Sequence, residues 1–281
     1  MEGNLPDARK RLGVLRDEWK DCQKCQLGVQ RVTKGASFVF GVGSTRSIMF
    51  IGDGPSEEAE QLGEPFVGSS GAVLRTLLHK LGLQEYYLTN LVSCRSCTPQ
   101  VNADGQLIQN KRGIMYRDEP PIPAHCAACR PRLNEEIYIA DPTLIVGLGP
   151  KACEALTGRP VNLERENGEA RPIGIPGGTY VPEFTDKGHW IRRVRGQVVQ
   201  PVSQSVVYYH FVPTYHPRDV EKVMDDMGQN NVFSRFTKAL RGAIRTHDAW
   251  LEGAAGFTAM QREPVTDAQL QQALHQEVPT T

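Results

Sequence analysis

The sequence has no excess of charge of either sign: 32 Lys and Arg stand against 32 Asp and Glu in 281 residues. A chain without net charge carries no global electrostatic sign of nucleic-acid binding, so any basic surface must be local. No run approaches the ~18 consecutive apolar residues that a membrane-spanning helix needs. The opening stretch MEGNLPDARKRLGVLRDEWKDC is charged throughout and lacks the apolar core of an export signal. The chain is therefore expected in the cytoplasm, away from membranes and as a monomer. Low-complexity and collagen-like repeats are absent too. At 40% hydrophobic residues the chain is too apolar to remain unfolded.

Cysteine, by contrast, is patterned. Six of the seven cysteines form three C-x-x-C pairs: Cys22/Cys25, Cys94/Cys97 and Cys126/Cys129. In a reducing compartment a disulfide framework is not expected. Two thiolates on one turn suit a metal, and three such pairs point to a metal or cluster site. Four thiolates complete a zinc site or a 4Fe–4S cluster, so three pairs hold more sulfur than one site uses. Spacing alone selects neither the four ligands nor the occupant. Cys153, in Pro-Lys-Ala-Cys-Glu-Ala-Leu, has helical context and reads as a small core residue.

Apolar periodicity predicts alternating elements. Helices are expected over 6–20, 71–81, 130–140, 151–156 and 231–251. Strands are expected over 47–52, 86–92, 143–148 and 206–212. This order predicts a three-layer α/β/α fold around a central, mostly parallel four-stranded sheet. Two Gly-, Pro- and charge-rich insertions, about 96–125 and 158–204, interrupt one domain spanning 1–251. Residues 252–281 read as a polar tail that frays.

In such sheets ligands bind beyond the carboxyl ends of the strands. Those ends carry Gly52-Asp-Gly54, Thr89-Asn90, Gly147-Leu-Gly149 and Pro213-Thr-Tyr-His-Pro217. A carboxylate, an amide and an imidazole thus share one sheet edge with Phe66, in Pro65-Phe-Val-Gly68. An aromatic ring can stack on a base, an amide can read its edge, and an imidazole can stabilise charge on a leaving group. Each residue also has a plainer reading: core Phe, turn Asn, structural His.

The joint order of these segments resembles the uracil-DNA glycosylase superfamily, and within it the iron–sulfur family 4. The segments are the first C-x-x-C, Pro65-Phe-Val-Gly68 with Gly71, Leu88-Thr-Asn-Leu-Val-Ser-Cys-Arg95, Cys129-Arg-Pro-Arg-Leu133, Leu144-Ile-Val-Gly-Leu-Gly149 and His216-Pro217. The resemblance implies a monofunctional DNA glycosylase that flips out a pyrimidine nucleotide and hydrolyses its N-glycosidic bond. It implies a 4Fe–4S cluster on Cys22, Cys25, Cys94 and Cys129, with zinc as the alternative occupant. Cys126 competes with Cys129 for the fourth position, and Cys97 has no family role. The cluster is expected to be structural.

Under the same resemblance Asp53 and His216 are catalytic, and Gly52, Gly54, Phe66 and Asn90 bind the base. Asp53 orients water or offsets charge on the sugar, and His216 stabilises the departing base. Glu57, Glu58 and Glu60 read as a solvated helix start. The expected partner is DNA with a damaged or modified pyrimidine. Ser69 and Ser70 are candidate phosphate donors at a helix start, and Lys111, Arg112, Trp190, Arg192 and Arg193 form the basic patches. Tyr215 or Arg218 is the expected wedge.

Two motifs depart from the family. Gly52-Asp-Gly-Pro-Ser56 stands where G-E-A-P-G is typical, and His216-Pro-Arg218 where H-P-S is typical. These changes fit a pocket re-cut for a bulkier base, such as hydroxymethylated or glucosylated cytosine in phage DNA, in an enzyme of antiviral defence. The rival readings are a non-catalytic iron–sulfur DNA-binding module and a zinc-stabilised hydrolase of free nucleosides.

Overall fold

The computed structural model describes residues 7–111, 113–176, 183–184, 190–191, 206–223, 231–255 and 266–277. In chain order the helices are α1 (Ala8–Trp19), α2 (Gln26–Lys34), α3 (Glu57–Leu62), α4 (Ser69–Lys80), α5 (Pro123–Ala140), α6 (Pro150–Thr157), α7 (Leu163–Glu166), α8 (Pro217–Glu221), α9 (Asn231–Ala255) and α10 (Asp267–Glu277). The strands are β1 (Val42–Gly43), β2 (Ile48–Gly52), β3 (Tyr86–Asn90), β4 (Cys97–Pro99), β5 (Gln109–Asn110), β6 (Gly113–Ile114), β7 (Tyr116–Asp118), β8 (Leu144–Leu148), β9 (Arg171–Pro176), β10 (Glu183–Phe184), β11 (Trp190–Ile191) and β12 (Val206–Thr214).

The four expected strands are the parallel centre of the sheet, in the order β3-β2-β8-β12. Antiparallel β1 and β9 extend the edges, which makes six strands rather than four. Periodicity could not show β1, which is two residues long, or β9, which lies inside the second insertion.

Every residue of β2 and β8 is buried. A parallel strand covered on both faces has no solvent side, so it reads as an unbroken apolar run. Alternation then assigns the faces. Met49, Ile51 and Ile145 point into a core with Leu12, Leu15, Leu133 and Ile137, under α1 and α5. Ile48, Phe50, Leu144 and Val146 point into the opposite core with Leu74, Leu77, Phe236 and Leu240, under α4 and α9. These two cores make the three layers.

Three elements differ from expectation. α5 begins at Pro123, not near residue 130, because proline at a helix start has the right φ and its missing N–H is not needed there. Cys126 and Cys129 therefore share one face of a helix. The first insertion is not an open loop. β4 pairs with β7 and β5 with β6, and the Asn102 side chain accepts from Asp104 N (3.0 Å) and Gln106 N (2.9 Å) at the turn. The frayed tail does not hold for α10. Leu270 and Leu274 are fully buried in the core that contains α4. Polar composition hid two leucines spaced one helical turn apart.

Candidate functional site

The carboxyl ends of the parallel strands open into a cleft of about 550 Å³. Its walls include Gly54, Phe66, Asn90, His216 and Arg218, together with Ser69 and Ser70 at the start of α4. The cleft thus brings together seven of the residues selected from sequence.

Close approach explains the glycines at this edge. A Cβ on Gly52 would lie 2.7 Å from the Phe66 ring and 2.9 Å from the Asn90 side-chain oxygen. Gly52, the Phe66 ring and the Asn90 amide therefore meet at one point. Phe66 itself has φ 58°, a left-handed conformation that a bulky residue adopts only when its surroundings impose it. Two contacts impose it here. Arg75 donates from Nε to the Phe66 carbonyl (3.3 Å) and from Nη2 to the Pro65 carbonyl (3.1 Å). Gly71 lies under the same carbonyl, where a Cβ would sit 1.7 Å from the oxygen.

His216 ends the loop after β12 and caps α8. Its Nδ1 accepts the Arg218 N–H at 3.1 Å, which leaves the ring proton on Nε2. Burial, with Arg218 and Lys222 nearby, lowers its pKa to about 4. The ring is neutral at pH 7 and offers a donor, not a transferable proton.

Asp53 is not among the residues lining the cleft. Its carboxylate lies at the start of α6, beside the Ala152 N–H, with Arg218 and Lys151 among the nearby charges. Burial nevertheless raises its pKa to about 6. Its Oδ1 is inaccessible and has no hydrogen-bond partner among the described residues.

The other candidates divide. Ser70 donates to Glu221 at 2.8 Å, so its hydroxyl is already engaged. The Tyr215 hydroxyl accepts from Arg235 at 3.1 Å, and its ring packs against both cores, which makes it structural and leaves the exposed Arg218 at the cleft as the wedge candidate. Lys111 is exposed in the β5–β6 hairpin and does not line the cleft. Trp190 stands on β11 opposite Phe184. Arg112, Arg192 and Arg193 lie outside the described residues.

The sequence reading missed Arg117, Asp118, Glu221 and Lys222 in the cleft wall, and it took Glu58, which also lines the cleft, for part of a solvated helix start. Arg117 and Asp118 come from the first insertion. They reach the cleft because the buried Arg95 holds Asp118 (2.6 Å) and Glu57 (3.1 Å) from the loop after β3. The position of Arg95 beside Cys94 was the only sequence signal for this arrangement.

Four candidate thiols come from three segments. Cys22 and Cys25 flank the start of α2, Cys94 follows β3, and Cys129 lies on α5. Burial pushes the Cys94 thiol up to about 12. Arg31 opposes the rise, and the neighbouring Cys129 and Cys25 add to it. Cys94 and Cys129 are buried in one core, and Cys25 packs against it. Cys126, one turn before Cys129, also has Asp53 and Arg130 beside it, whereas Cys97 sits by Arg95 and Lys34. Among the described residues no three donors converge tightly on a single-ion position. Buried Arg31 lies beside Cys94 and would offset the negative charge of thiolates gathered there.

Comparison with known proteins gives a consistent result. The model described as the uracil DNA glycosylase superfamily matches residues 40–241. The chain is 32% identical over 176 residues to the type-4 uracil-DNA glycosylase of Thermotoga maritima, covering 61% of this chain and 79% of that protein. It is 34% identical over 160 residues to the type-4 enzyme of Saccharolobus solfataricus, covering 56% and 63%. It is 30% identical over 140 residues to that of Archaeoglobus fulgidus, covering 49% and 59%.

Proposed function

Because the chain belongs to the uracil DNA glycosylase superfamily, we propose that its cleft takes one pyrimidine nucleotide flipped out of DNA and hydrolyses its N-glycosidic bond. The observation that carries this reading is the convergence of the Phe66 ring, the Asn90 amide and the neutral His216 imidazole around one cleft. Phe66 stacks on the base, and Asn90 reads its hydrogen-bonding edge. As the C1′–N bond breaks, its electron pair leaves with the base, and the Nε2–H of His216 stabilises the resulting anion. Water adds to C1′. Asp53, ionised above about pH 6 behind the cleft wall, favours through its charge the positive charge developing on the sugar, and the proton lost by the water passes to solvent. Arg218 fills the space left in the duplex, and the start of α4 takes a phosphate. The enzyme works as a cytoplasmic monomer, within one domain interrupted by two insertions.

A 4Fe–4S cluster held by Cys22, Cys25, Cys94 and Cys129 would cross-link the N-terminal segment, the loop after β3 and α5. Cys94→Ser is expected to lose bound iron and visible absorbance and to lower the melting temperature by several degrees. Stoichiometric zinc in the purified protein would remove the cluster from this reading.

The altered motifs and the insertion residues in the cleft wall favour a second, narrower substrate. A space of about 550 Å³ lies within the ~300–1,000 Å³ range of pockets for drug-sized ligands and leaves room beyond a pyrimidine ring. Arg117 and Asp118 offer a donor and an acceptor suited to a hydroxylated substituent. Such an enzyme would act on modified phage DNA rather than in repair. Duplexes carrying uracil, hydroxymethylcytosine or glucosylated hydroxymethylcytosine separate the two substrates when abasic sites are cleaved with alkali. Release of the glucosylated base but not uracil is the expected pattern for the defence reading, and release of uracil alone would discard it. No abasic site on any duplex would overturn the glycosylase reading.

A further inference from the structure

Arg132 and Glu136, one turn apart on α5, form an ion pair in which both side chains are completely buried. Burying an ion pair is costly and is weak evidence of stabilisation by itself, so the useful question is what the pair holds. The guanidinium answers it. Its Nη1 donates to Glu136 and to the Thr89 hydroxyl (3.3 Å). Its Nη2 donates to the main-chain carbonyls of Asn90 (2.7 Å) and Leu91 (3.0 Å). Glu136 also accepts from the Tyr87 hydroxyl (2.9 Å) and from Thr89 (3.1 Å). Tyr87, Thr89 and Asn90 are alternate residues of β3 or its last residue, so the network grips that strand where it ends.

Two consecutive carbonyls held by one rigid fork fix two peptide planes. The first belongs to the residue whose amide lines the cleft. Arg132 itself lies beneath that wall and is not among the residues lining it. It is also one turn after Cys129, on the helix that carries the candidate cluster ligand.

We propose that Arg132 is the positioning residue for Asn90. With Glu136 as its counter-ion, it sets the direction of the base-reading amide and ties that direction to α5. The inference rests on Asn90 reading the base, as proposed above.

The test uses the full-length protein and whichever of the uracil and glucosylated-hydroxymethylcytosine duplexes the wild type cleaves. Arg132→Met combined with Glu136→Leu replaces the pair by apolar side chains of similar size, an exchange that buried pairs often tolerate. The expected result is a folded protein with kcat reduced about 10–100-fold, the scale on which small misplacements act, and KM within about threefold. In an Asn90→Ala background the same exchange should add no further loss. Arg132→Lys keeps the charge but loses the fork, and should show a smaller kcat loss in the same direction. A folded variant with unchanged kcat, or losses that multiply in the Asn90→Ala background, would overturn the inference. A wild type that cleaves neither duplex fails differently, because it removes the role of Asn90 itself.

Discussion

His216→Ala is expected to lower kcat about 10²–10³-fold, the usual cost of deleting one donor to a developing oxyanion. The magnitude follows from the state of the ring. With a pKa near 4 and Nδ1 occupied by the Arg218 N–H, the imidazole is neutral at pH 7 and carries its proton on Nε2 at the cleft wall. Alanine removes that hydrogen-bond donor and leaves the base anion facing bulk-like water. Because the ring does not titrate near neutrality, it adds no inflection to the rate profile above about pH 5. His216→Gln, which restores a donor on a flexible stem, should recover part of the loss. Single-turnover release of the base checks both variants. A His216→Ala enzyme with wild-type turnover would remove the imidazole from the chemistry.

Asp53→Asn is expected to lower kcat about 10²-fold, the ~3 kcal/mol that one buried charge exerts across several ångströms at intermediate dielectric. It should also abolish the pH dependence. Burial raises the carboxyl pKa to about 6, so the wild-type rate should climb as pH passes from 5 to 7 and then level off. The variant should lack that climb. Stability moves the other way. A carboxyl whose folded pKa is raised favours the folded state below its unfolded value, near 4, and loses that contribution as pH rises through about 6. Asparagine avoids the cost of burying the charge, so the variant should be more stable than wild type at pH 8, by about 1–3 kcal/mol after allowance for partial solvent access. The difference should vanish below about pH 4. Thermal melts at pH 4 and pH 8 test the stability arm. A variant less stable than wild type at pH 8 would mean that the Ala152 and Arg218 interactions outweigh burial.

The parallel strands were readable because strands buried on both faces leave unbroken apolar runs, as in Ile48–Gly52 and Leu144–Leu148. That Phe66, Asn90 and His216 share one cleft was readable because the carboxyl ends of parallel strands lie at one sheet edge, and the edge follows from strand direction. The edge strands β1 and β9 were not readable. One is too short to show a period, and the other sits in a segment whose Gly and Pro content resembles a loop. α10 was hidden for a related reason: two core leucines in an otherwise polar stretch give a weak pattern until the surface that receives them is known.

The sequence by itself determined the α/β order, the strand edge that holds the site, and a cysteine set too rich for one metal position. Those properties are local or periodic, so they can be read along the chain. Only the tertiary structure decided that Cys25, Cys94 and Cys129 gather at one core, that Asp53 lies at the start of α6 instead of in the cleft wall, and that Arg117 and Asp118 reach the cleft. It alone brought Arg132 to the carbonyl of Asn90, across 42 positions of sequence. Each of these depends on the packing of elements distant in the chain, where contact is set by the shapes of two buried surfaces and leaves no mark in the spacing of residues along either one.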